Sequence, residues 1–398
     1  MNLGFLGFFK YFNFFLDSFV SAFSFLGFNL EARSLSIVLP VGISFYTFQT
    51  LSYTIDAYRK KIEPTSDFVA FSAFVSFFPQ LVAGPIERAK SLLPQFYKER
   101  VFDYRKASDG LRQILWGLSK KIIIADNCAK YANQIFSDSA ELSGSTLVLG
   151  AVFFAFQIYG DFSGYSDIAI GTSRLFGFQL TQNFAFPYFS RDVAEFWRRW
   201  HISLSTWFRD YLYIPLGGSR RGKWISIRNI FIIFIVSGFW HGANWTFIFW
   251  GALNAFYFLP LFLTNSNRRN LGGISSGKIF PTISEVASII LTFSLTVFAW
   301  IFFRAESLQH AISYIANMLS PSLLAIPDFT DRRGGFTTMI LITLFLVLEW
   351  SGRKSAYAIE SMGLKWPRLF RWLFYACLIF MMGLFMPTDE TPFLYFQF

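Results

Sequence analysis

Two of the three histidines in this chain, His201 and His241, lie in one stretch, Phe196–Gly251, that also holds most of the tryptophans. His241 falls within Asn229–Leu263, a run of membrane-spanning length without Asp, Glu, Lys or Arg. An ionisable group there is costly in a bilayer and is by default a candidate for function. An imidazole can take a proton from a hydroxyl and return it near neutral pH, so we predict that His241 is a general base or acid. The alternative is a buried polar residue that hydrogen-bonds neighbouring helices.

The residues next to His241 are suited to a reaction site. Gly242 allows a substrate or another backbone to come close. Asn244 carries an amide donor that can hold a developing oxyanion. We therefore predict Asn244 and Trp240 as candidate substrate-binding or donor-binding residues.

His201 lies in Asp192–Tyr213, which the spacing of its apolar residues predicts to be one amphipathic helix. On that helix the imidazole projects at the border of the apolar face, from which it can reach a cavity or water. We predict that His201 positions the donor or completes a two-histidine site, and the alternative is an interfacial anchor for the helix. Three neighbouring arginines are candidates to meet the phosphates of an anionic donor, namely Arg198, Arg199 and Arg209.

A third polar stretch, Asp161–Asp167, directly follows the apolar run Leu142–Gly160. Its carboxylates suit helix capping and pairing with arginines at the interface, or the shaping of a cavity mouth. We include Asp161 and Tyr165 among the candidate binding residues. No metal site is predicted, because the two histidines occur without a cysteine cluster or an HExxH motif.

The elements that must position these residues are helices in a bilayer. The chain has 398 residues, of which 54% are hydrophobic and 15% are charged, and its mean hydropathy is +0.41. A soluble domain carries about 25% charged residues, so the composition predicts a polytopic membrane protein with a single membrane-embedded domain, residues 1–398. The net charge of +10 lies in short basic clusters between apolar runs. Such clusters are typical of cytoplasmic juxtamembrane loops and argue against nucleic-acid binding.

Uncharged runs mark the membrane helices, since a span needs about 20 apolar residues. The run that holds His241 would be about 52 Å long as one helix, so we predict a break near Gly238 or within His241–Asn244. The total is about nine hydrophobic helices, with interfacial helices at Tyr104–Phe136 and Asp192–Tyr213. The other runs are Ser34–Ile55, Phe68–Ile86, Leu142–Gly160, Val286–Phe303, Gly334–Leu348 and Trp372–Thr388, and Met1–Leu30 is similar apart from Lys10 and Asp17.

In the segments around His201 and His241 the chain resembles the membrane-bound O-acyltransferase (MBOAT) family, and in particular its bacterial branch that includes alginate O-acetyltransferase. The blocks Phe196–Ser203 and Trp240–Trp245 together carry most of the specificity of this likeness. The further matching segments are Leu39–Phe48, Ser52–Arg59, Phe78–Ile86, Asp161–Gly171, Asn183–Tyr188 and Glu195–Gly218.

The resemblance implies a fold, a location and a reaction. The fold is an irregular all-α bundle around a central funnel, and the location is the bacterial inner membrane, which the chain crosses several times. The reaction moves an acetyl group from cytoplasmic acetyl-CoA, without a bound cofactor, towards hydroxyls of an extracytoplasmic polysaccharide such as alginate or a similar exopolysaccharide. A periplasmic acetyl-relay protein is the implied partner.

The resemblance also implies roles for single residues. The family's near-invariant membrane histidine corresponds to His241, and its second site residue corresponds to His201. Relatives begin further upstream, with additional hydrophobic helices before the segment that matches Asn2–Phe19. The chain is therefore expected to lack the N-terminal helices that are usual in relatives.

The sequence is also compatible with two other functions. An acyltransferase with the same fold could act on peptidoglycan, teichoic acid, a lipid or a protein, because loops and partners recognise the acceptor. A membrane transporter is the alternative from another class. Polar groups and a glycine-interrupted helix, such as the one near Gly238–Gly242, also occur at transporter sites.

Overall fold

The structure, a computed structural model, describes residues 2–28, 30, 33–274, 279–388 and 393–394. Within these residues the regular structure is entirely helical, as predicted. The helices of the first half are α1 (Asn2–Leu6), α2 (Phe12–Phe25), α3 (Ile43–Tyr58), α4 (Phe68–Val75), α5 (Ala89–Phe96), α6 (Tyr104–Ser119), α7 (Asp126–Ser137) and α8 (Gly144–Leu175). Those of the second half are α9 (Val193–Arg199), α10 (Ile202–Phe208), α11 (Lys223–His241), α12 (Trp245–Leu263), α13 (Ile283–Arg304), α14 (Leu308–Met318), α15 (Arg332–Gly352) and α16 (Arg368–Phe385). Single π-helical segments, Gly7–Tyr11 and Lys120–Ala125, join α1 to α2 and α6 to α7.

Each hydrophobic segment predicted from the sequence contains a helix. Among the described residues, 6 helices are long and apolar enough to cross a membrane, namely α8, α11, α12, α13, α15 and α16. The break predicted in the long uncharged run lies at residues 242–244, between α11 and α12. The chain reverses there, and α11 packs against α12. This arrangement is that of a multi-pass membrane protein.

Two of the predicted segments form shorter helices than their apolar length suggests. The helix α3 begins only at Ile43, after Pro40 and a left-handed Gly42 (φ 75°). The helix α4 ends early, and the apolar residues after it contain Pro79 and Pro85. Proline removes a backbone donor and disfavours helical geometry in the residue before it, so the apolar run cannot continue as one helix.

The most extensive contact in the bundle lies between α6 and α8. Gly117 faces Gly164, and a Cβ on Gly117 would lie only 2.6 Å from the Gly164 carbonyl oxygen. Gly110 and Gly171 approach in the same way, because a Cβ on Gly110 would lie 2.7 Å from the Gly171 carbonyl oxygen. Small residues let two backbones approach closely in this manner. The region Tyr104–Phe136, predicted as interfacial helices, forms α6 and α7, and both pack along α8.

A buried ion pair lies beside this contact. Lys120 Nζ is 2.6 Å from Asp167 Oδ2, and the lysine side chain is only 4% exposed. Lys120 also donates to Ser163 Oγ (2.9 Å), and Gln113 Nε2 donates to Asp167 Oδ1 (2.7 Å). A charge at this depth is stable only with a partner charge and further hydrogen bonds, and both are present.

The second amphipathic region, Asp192–Tyr213, is not the single helix that its spacing predicts. The helix α9 ends at Arg199 and α10 begins at Ile202, with His201 between them in the left-handed conformation (φ 45°, ψ 55°). The helical-wheel position of His201 at the border of an apolar face was therefore wrong. The break turns the imidazole into the protein, where the residue is 1% exposed.

Candidate active site

His241 is the last residue of α11, and it lines a cavity of about 230 Å³. The rest of the wall comes mainly from residues 39–45 around the start of α3, from Trp240 and from Lys10 of the π-helical segment between α1 and α2. The ring centroids of Trp250 and Phe303 each lie 5.3 Å from the imidazole centroid. Neither of these two aromatic residues lines the cavity.

The two histidines of the predicted site lie close together. Their ring centroids are 6.5 Å apart. Trp240 contacts both, with its ring centroid 5.0 Å from that of His241 and 6.2 Å from that of His201. His241 contributes to the cavity wall, whereas His201 lies deeper and is not part of that wall.

Asn183 holds His201, and no signal in the sequence indicated this contact. Asn183 Oδ1 accepts hydrogen bonds from the backbone N–H of Ser203 (3.2 Å) and from Ser203 Oγ (2.9 Å). The same oxygen lies 3.1 Å from His201 Nδ1. A backbone N–H can only donate, so the asparagine atom that faces it must be the oxygen. A neutral His201 therefore carries its proton on Nδ1, and Nε2 keeps a lone pair.

Burial keeps His201 neutral. Loss of hydration, with a smaller contribution from His241, lowers the pKa of His201 well below its ordinary value of 6.5. In the described part of the chain, His201 Nε2 has no hydrogen-bond partner. Buried polar atoms normally have a hydrogen-bond partner. An unpartnered nitrogen of this kind therefore indicates a place where a bound ligand donates a hydrogen bond or where a proton is taken up.

Trp240 supplies an orphan donor next to the same site. The residue is 4% exposed, and its indole N–H has no hydrogen-bond partner among the described residues. Trp240 also lines the cavity, and its indole nitrogen is buried beside it. The site thus combines a donor, an acceptor and the imidazole of His241.

Both polar atoms of the Asn244 side chain form hydrogen bonds within the protein. It caps the start of α12, because its Oδ1 accepts from the Thr246 backbone N–H (3.0 Å). Its Nδ2 donates to the Glu306 carbonyl oxygen (2.9 Å). The amide donor that the sequence suggested for an oxyanion is therefore engaged within the protein.

Two of the three predicted arginines are also engaged within the protein. Arg198 donates to the backbone carbonyl oxygens of two asparagines in the loop after α12, at 2.9 and 3.0 Å. Arg199 Nη2 lies 2.9 Å from Glu195 Oε1, a carboxylate that is 1% exposed. The contacts of Arg198 join α9 to the loop after α12, and the pair of Arg199 with Glu195 lies within α9.

Arg209 is exposed, pairs with Asp210 (Nε to Oδ1, 2.8 Å) and lines a second cavity of about 460 Å³, together with Arg268 and Tyr213. The lining of this cavity includes the middle of α11, the C-terminal half of α12 and the loop after α12. The cavity therefore extends from the middle of the α11–α12 hairpin to the end opposite His241. Its two arginines and its polar rim suit an anionic ligand.

Asp161 and Tyr165 lie on α8 and belong to neither cavity. Asp161 is 3% exposed, pairs with Lys121 at 2.8 Å and accepts a hydrogen bond from the Leu394 backbone N–H at 2.7 Å. The Tyr165 ring packs against Phe393 with a centroid distance of 5.2 Å. In the described residues, no three metal-ligating side chains converge to form a metal site.

Comparison with known proteins adds an independent finding. The sequence model of the MBOAT, membrane-bound O-acyltransferase, family matches residues 59–304. A probable alginate O-acetylase of Pseudomonas putida is 38% identical over 100% of this chain and 83% of the relative. A probable alginate O-acetylase of Pseudomonas syringae pv. tomato is 43% identical over 90% of this chain and 66% of the relative. A peptidoglycan O-acetyltransferase of Helicobacter pylori is 33% identical over 100% of this chain and 81% of the relative.

These matches confirm the likeness that the sequence motifs indicated. The matched region contains both histidines, Asn183 and the α11–α12 hairpin. They favour an O-acyltransferase over the transporter alternative, and they agree with the all-helical bundle and its membrane-spanning helices. The chain therefore belongs to the membrane-bound O-acyltransferase family.

Proposed function

We propose that the protein transfers an acetyl group from acetyl-CoA to hydroxyls of an extracytoplasmic polysaccharide, with His241 as the general base. The observation that carries this proposal is the position of His241 in a cavity wall, with its ring centroid 6.5 Å from that of the buried His201. The names of the relatives, alginate O-acetylase and peptidoglycan O-acetyltransferase, support acetyl as the transferred group. Acetyl-CoA is a co-substrate here, and the scheme needs no bound cofactor.

The proposed reaction is a direct acyl transfer. An acceptor hydroxyl in the cavity gives its proton to the imidazole of His241 while its oxygen attacks the carbonyl carbon of the acetyl thioester. The tetrahedral intermediate collapses, the carbon–sulfur bond breaks, and the imidazolium returns the proton to the departing sulfur. The products are an acetyl ester and the free thiol of coenzyme A.

The two buried nitrogens without a partner, Trp240 Nε1 and His201 Nε2, have roles in this scheme. The indole N–H of Trp240, buried and without a partner among the described residues, is the candidate donor to the oxyanion of the tetrahedral intermediate. One such donor typically lowers the barrier by about 3 kcal/mol. His201 Nε2 can only accept while the ring is neutral, so it orients a substrate through one of the substrate's own donors or assists the proton transfer.

The distribution of charge supports a cytoplasmic position for the second cavity. Basic residues cluster at the end of the hairpin where that cavity lies, namely Arg220, Arg221, Lys223, Arg268 and Arg269. Lysine and arginine are enriched in the cytoplasmic loops of membrane proteins. In a bacterial inner membrane the phosphates of acetyl-CoA would then meet Arg209 and Arg268. The cavity beside His241 lies at the extracytoplasmic end in this orientation.

The size of the cavity beside His241 bears on the acceptor. At about 230 Å³ it is smaller than the roughly 300–1,000 Å³ of usual ligand pockets. It therefore suits one hydroxyl-bearing unit at a time, either a sugar of an exopolysaccharide or the serine of a periplasmic acetyl-relay protein. Peptidoglycan is the second candidate acceptor, because the Helicobacter pylori relative aligns with 100% of this chain.

The proposal is tested with the purified protein in lipid nanodiscs and acetyl-CoA labelled in the acetyl group. Alginate-type polyuronate, peptidoglycan fragments and a periplasmic extract are offered separately and in combination. We expect label in an alkali-labile ester, released with an equal amount of free coenzyme A. Label that never leaves acetyl-CoA with any acceptor, or label that is only hydrolysed to acetate, would contradict the proposal. Ester formation on peptidoglycan alone would favour the second candidate acceptor.

A further inference from the structure

The C-terminus of α11, which carries His241, is capped by a distant part of the chain. The last four carbonyl groups of a helix have no partner within that helix. Gly242 leaves α11 in an extended conformation (φ −160°, ψ 152°), so the left-handed turn that commonly caps a helix is not formed. Partners come instead from Lys10 and Tyr11 of the π-helical segment Gly7–Tyr11, in contacts that span about 230 positions of sequence.

Lys10 holds the last two carbonyl groups of α11. Its Nζ donates to the Trp240 carbonyl oxygen (2.9 Å) and to the His241 carbonyl oxygen (3.0 Å). A further bond reaches Ser44 Oγ (3.3 Å), so all three ammonium donors have acceptors. A cation at this end of a helix also interacts favourably with the helix dipole. Lys10 lines the same cavity as His241.

Tyr11 holds the preceding carbonyl group. Its hydroxyl donates to the Phe239 carbonyl oxygen (3.0 Å), and its ring stacks on the Phe239 ring with a centroid distance of 4.2 Å. The tyrosine is 5% exposed, so this contact lies within the protein. Three consecutive carbonyl groups of the last turn of α11 are thereby fixed by two adjacent side chains.

We propose that Lys10 and Tyr11 are positioning residues for acyl transfer, because their cap on α11 fixes the imidazole of His241 against the cavity. The inference rests on the proposed function of His241. Since His241 is the final residue of the helix, fraying of the last turn would let its imidazole move away from the substrate. A displacement of about 1 Å can lower a reaction rate about 100-fold. The charged Lys10 within the apolar run Met1–Leu30 thus serves the reaction by holding the end of α11.

The experiment compares four variants with wild type in nanodiscs, using labelled acetyl-CoA and the acceptor that wild type acetylates. Lys10→Met removes the three donors and keeps a long side chain, whereas Lys10→Arg keeps cationic donors. Tyr11→Phe removes the hydroxyl and keeps the ring stacking. Asp17→Asn is the matched control, because it changes an exposed charge on α2, the helix that directly follows Lys10 and Tyr11. Turnover is expressed per folded protein, taken from the monodisperse gel-filtration peak.

We expect Lys10→Met to lower kcat about 100-fold while the KM for acetyl-CoA stays unchanged, because the cap acts on the reacting imidazole and not on donor binding. Lys10→Arg is expected to restore much of this loss, Tyr11→Phe to show a smaller loss, and Asp17→Asn to match wild type. Wild-type kcat in Lys10→Met overturns the inference, as does an equal loss in Lys10→Met and Lys10→Arg. Absence of transfer by wild type would instead refute the proposed function.

Discussion

Replacement of Asn183 by leucine is the perturbation that most sharply separates a positioned His201 from a merely buried one. Leucine has a similar volume but no acceptor, so the Nδ1–H of His201 and two donors of Ser203 lose the oxygen that they share. Asn183 is 0% exposed, and water cannot readily replace that oxygen. Without that oxygen, no described hydrogen bond favours the proton on Nδ1 over Nε2.

The size of the effect follows from the hydrogen bond that His201 loses. A buried donor left without a partner costs about 1–3 kcal/mol. The preference for the Nδ1–H tautomer falls by the same amount, and about 1.4 kcal/mol corresponds to a factor of ten. Loss of about 2 kcal/mol therefore lowers the ratio of the two tautomers roughly 30-fold. If Nε2 must accept during the reaction, kcat scales with the fraction of the Nδ1–H tautomer; it falls about twofold if the two tautomers become equally populated, and at most about 30-fold.

The assay is kcat for acetyl transfer from labelled acetyl-CoA, measured per folded protein. Ser166→Ala is the matched control, because Asn183 Nδ2 contacts Ser166 Oγ (3.2 Å) on the other side of the same amide. That variant keeps all three contacts of Oδ1 and is expected to keep most of the activity. Asn183→Asp retains an acceptor oxygen and is expected to exceed Asn183→Leu. A folded Asn183→Leu enzyme with wild-type kcat would refute the reasoning.

Two further predictions concern stability in detergent, measured as thermal unfolding. Gly117→Ala should destabilise the protein by about 1–3 kcal/mol, because its Cβ would lie 2.6 Å from a backbone oxygen of α8; Gly383→Ala, at a helical glycine with nothing within 4 Å, should have little effect. Equal unfolding temperatures for these two variants would contradict the close contact of α6 and α8. Lys120→Met should destabilise by about 3–5 kcal/mol, because it leaves the Asp167 carboxylate without its cation, and adding Asp167→Asn should recover much of the loss. A double variant no more stable than Lys120→Met would argue against the ion pair.

Helix length in a bilayer made the α11–α12 hairpin predictable from sequence. A single helix of about 52 Å exceeds a hydrocarbon core of about 30 Å, so the uncharged run had to contain a break. The structure has that break at residues 242–244, immediately after His241. The shortened α3 and α4 were also marked in the sequence, by the prolines in or beside their apolar runs.

The geometry around His201 could not be predicted from the same pattern. Apolar spacing continues through Asp192–Tyr213 as if it were one helix, and nothing such as glycine or proline marks the left-handed residue at the break. The contacts of Asn183 and Lys10 join residues far apart in sequence, and helical periodicity carries no signal about such contacts. Their roles follow only from the packed structure.

The central claim is that His241 exchanges the proton during acetyl transfer. Its most direct test is turnover of labelled acetyl-CoA by purified His241→Ala, with His310→Ala as the matched control. His310 is the third histidine, lies 3.2 Å through Nε2 from Ser139 Oγ, and lines neither cavity. We predict a loss of about 10²–10⁴-fold in kcat for folded His241→Ala, as for removal of a general base, and wild-type turnover for His310→Ala. Wild-type turnover by His241→Ala would contradict the account.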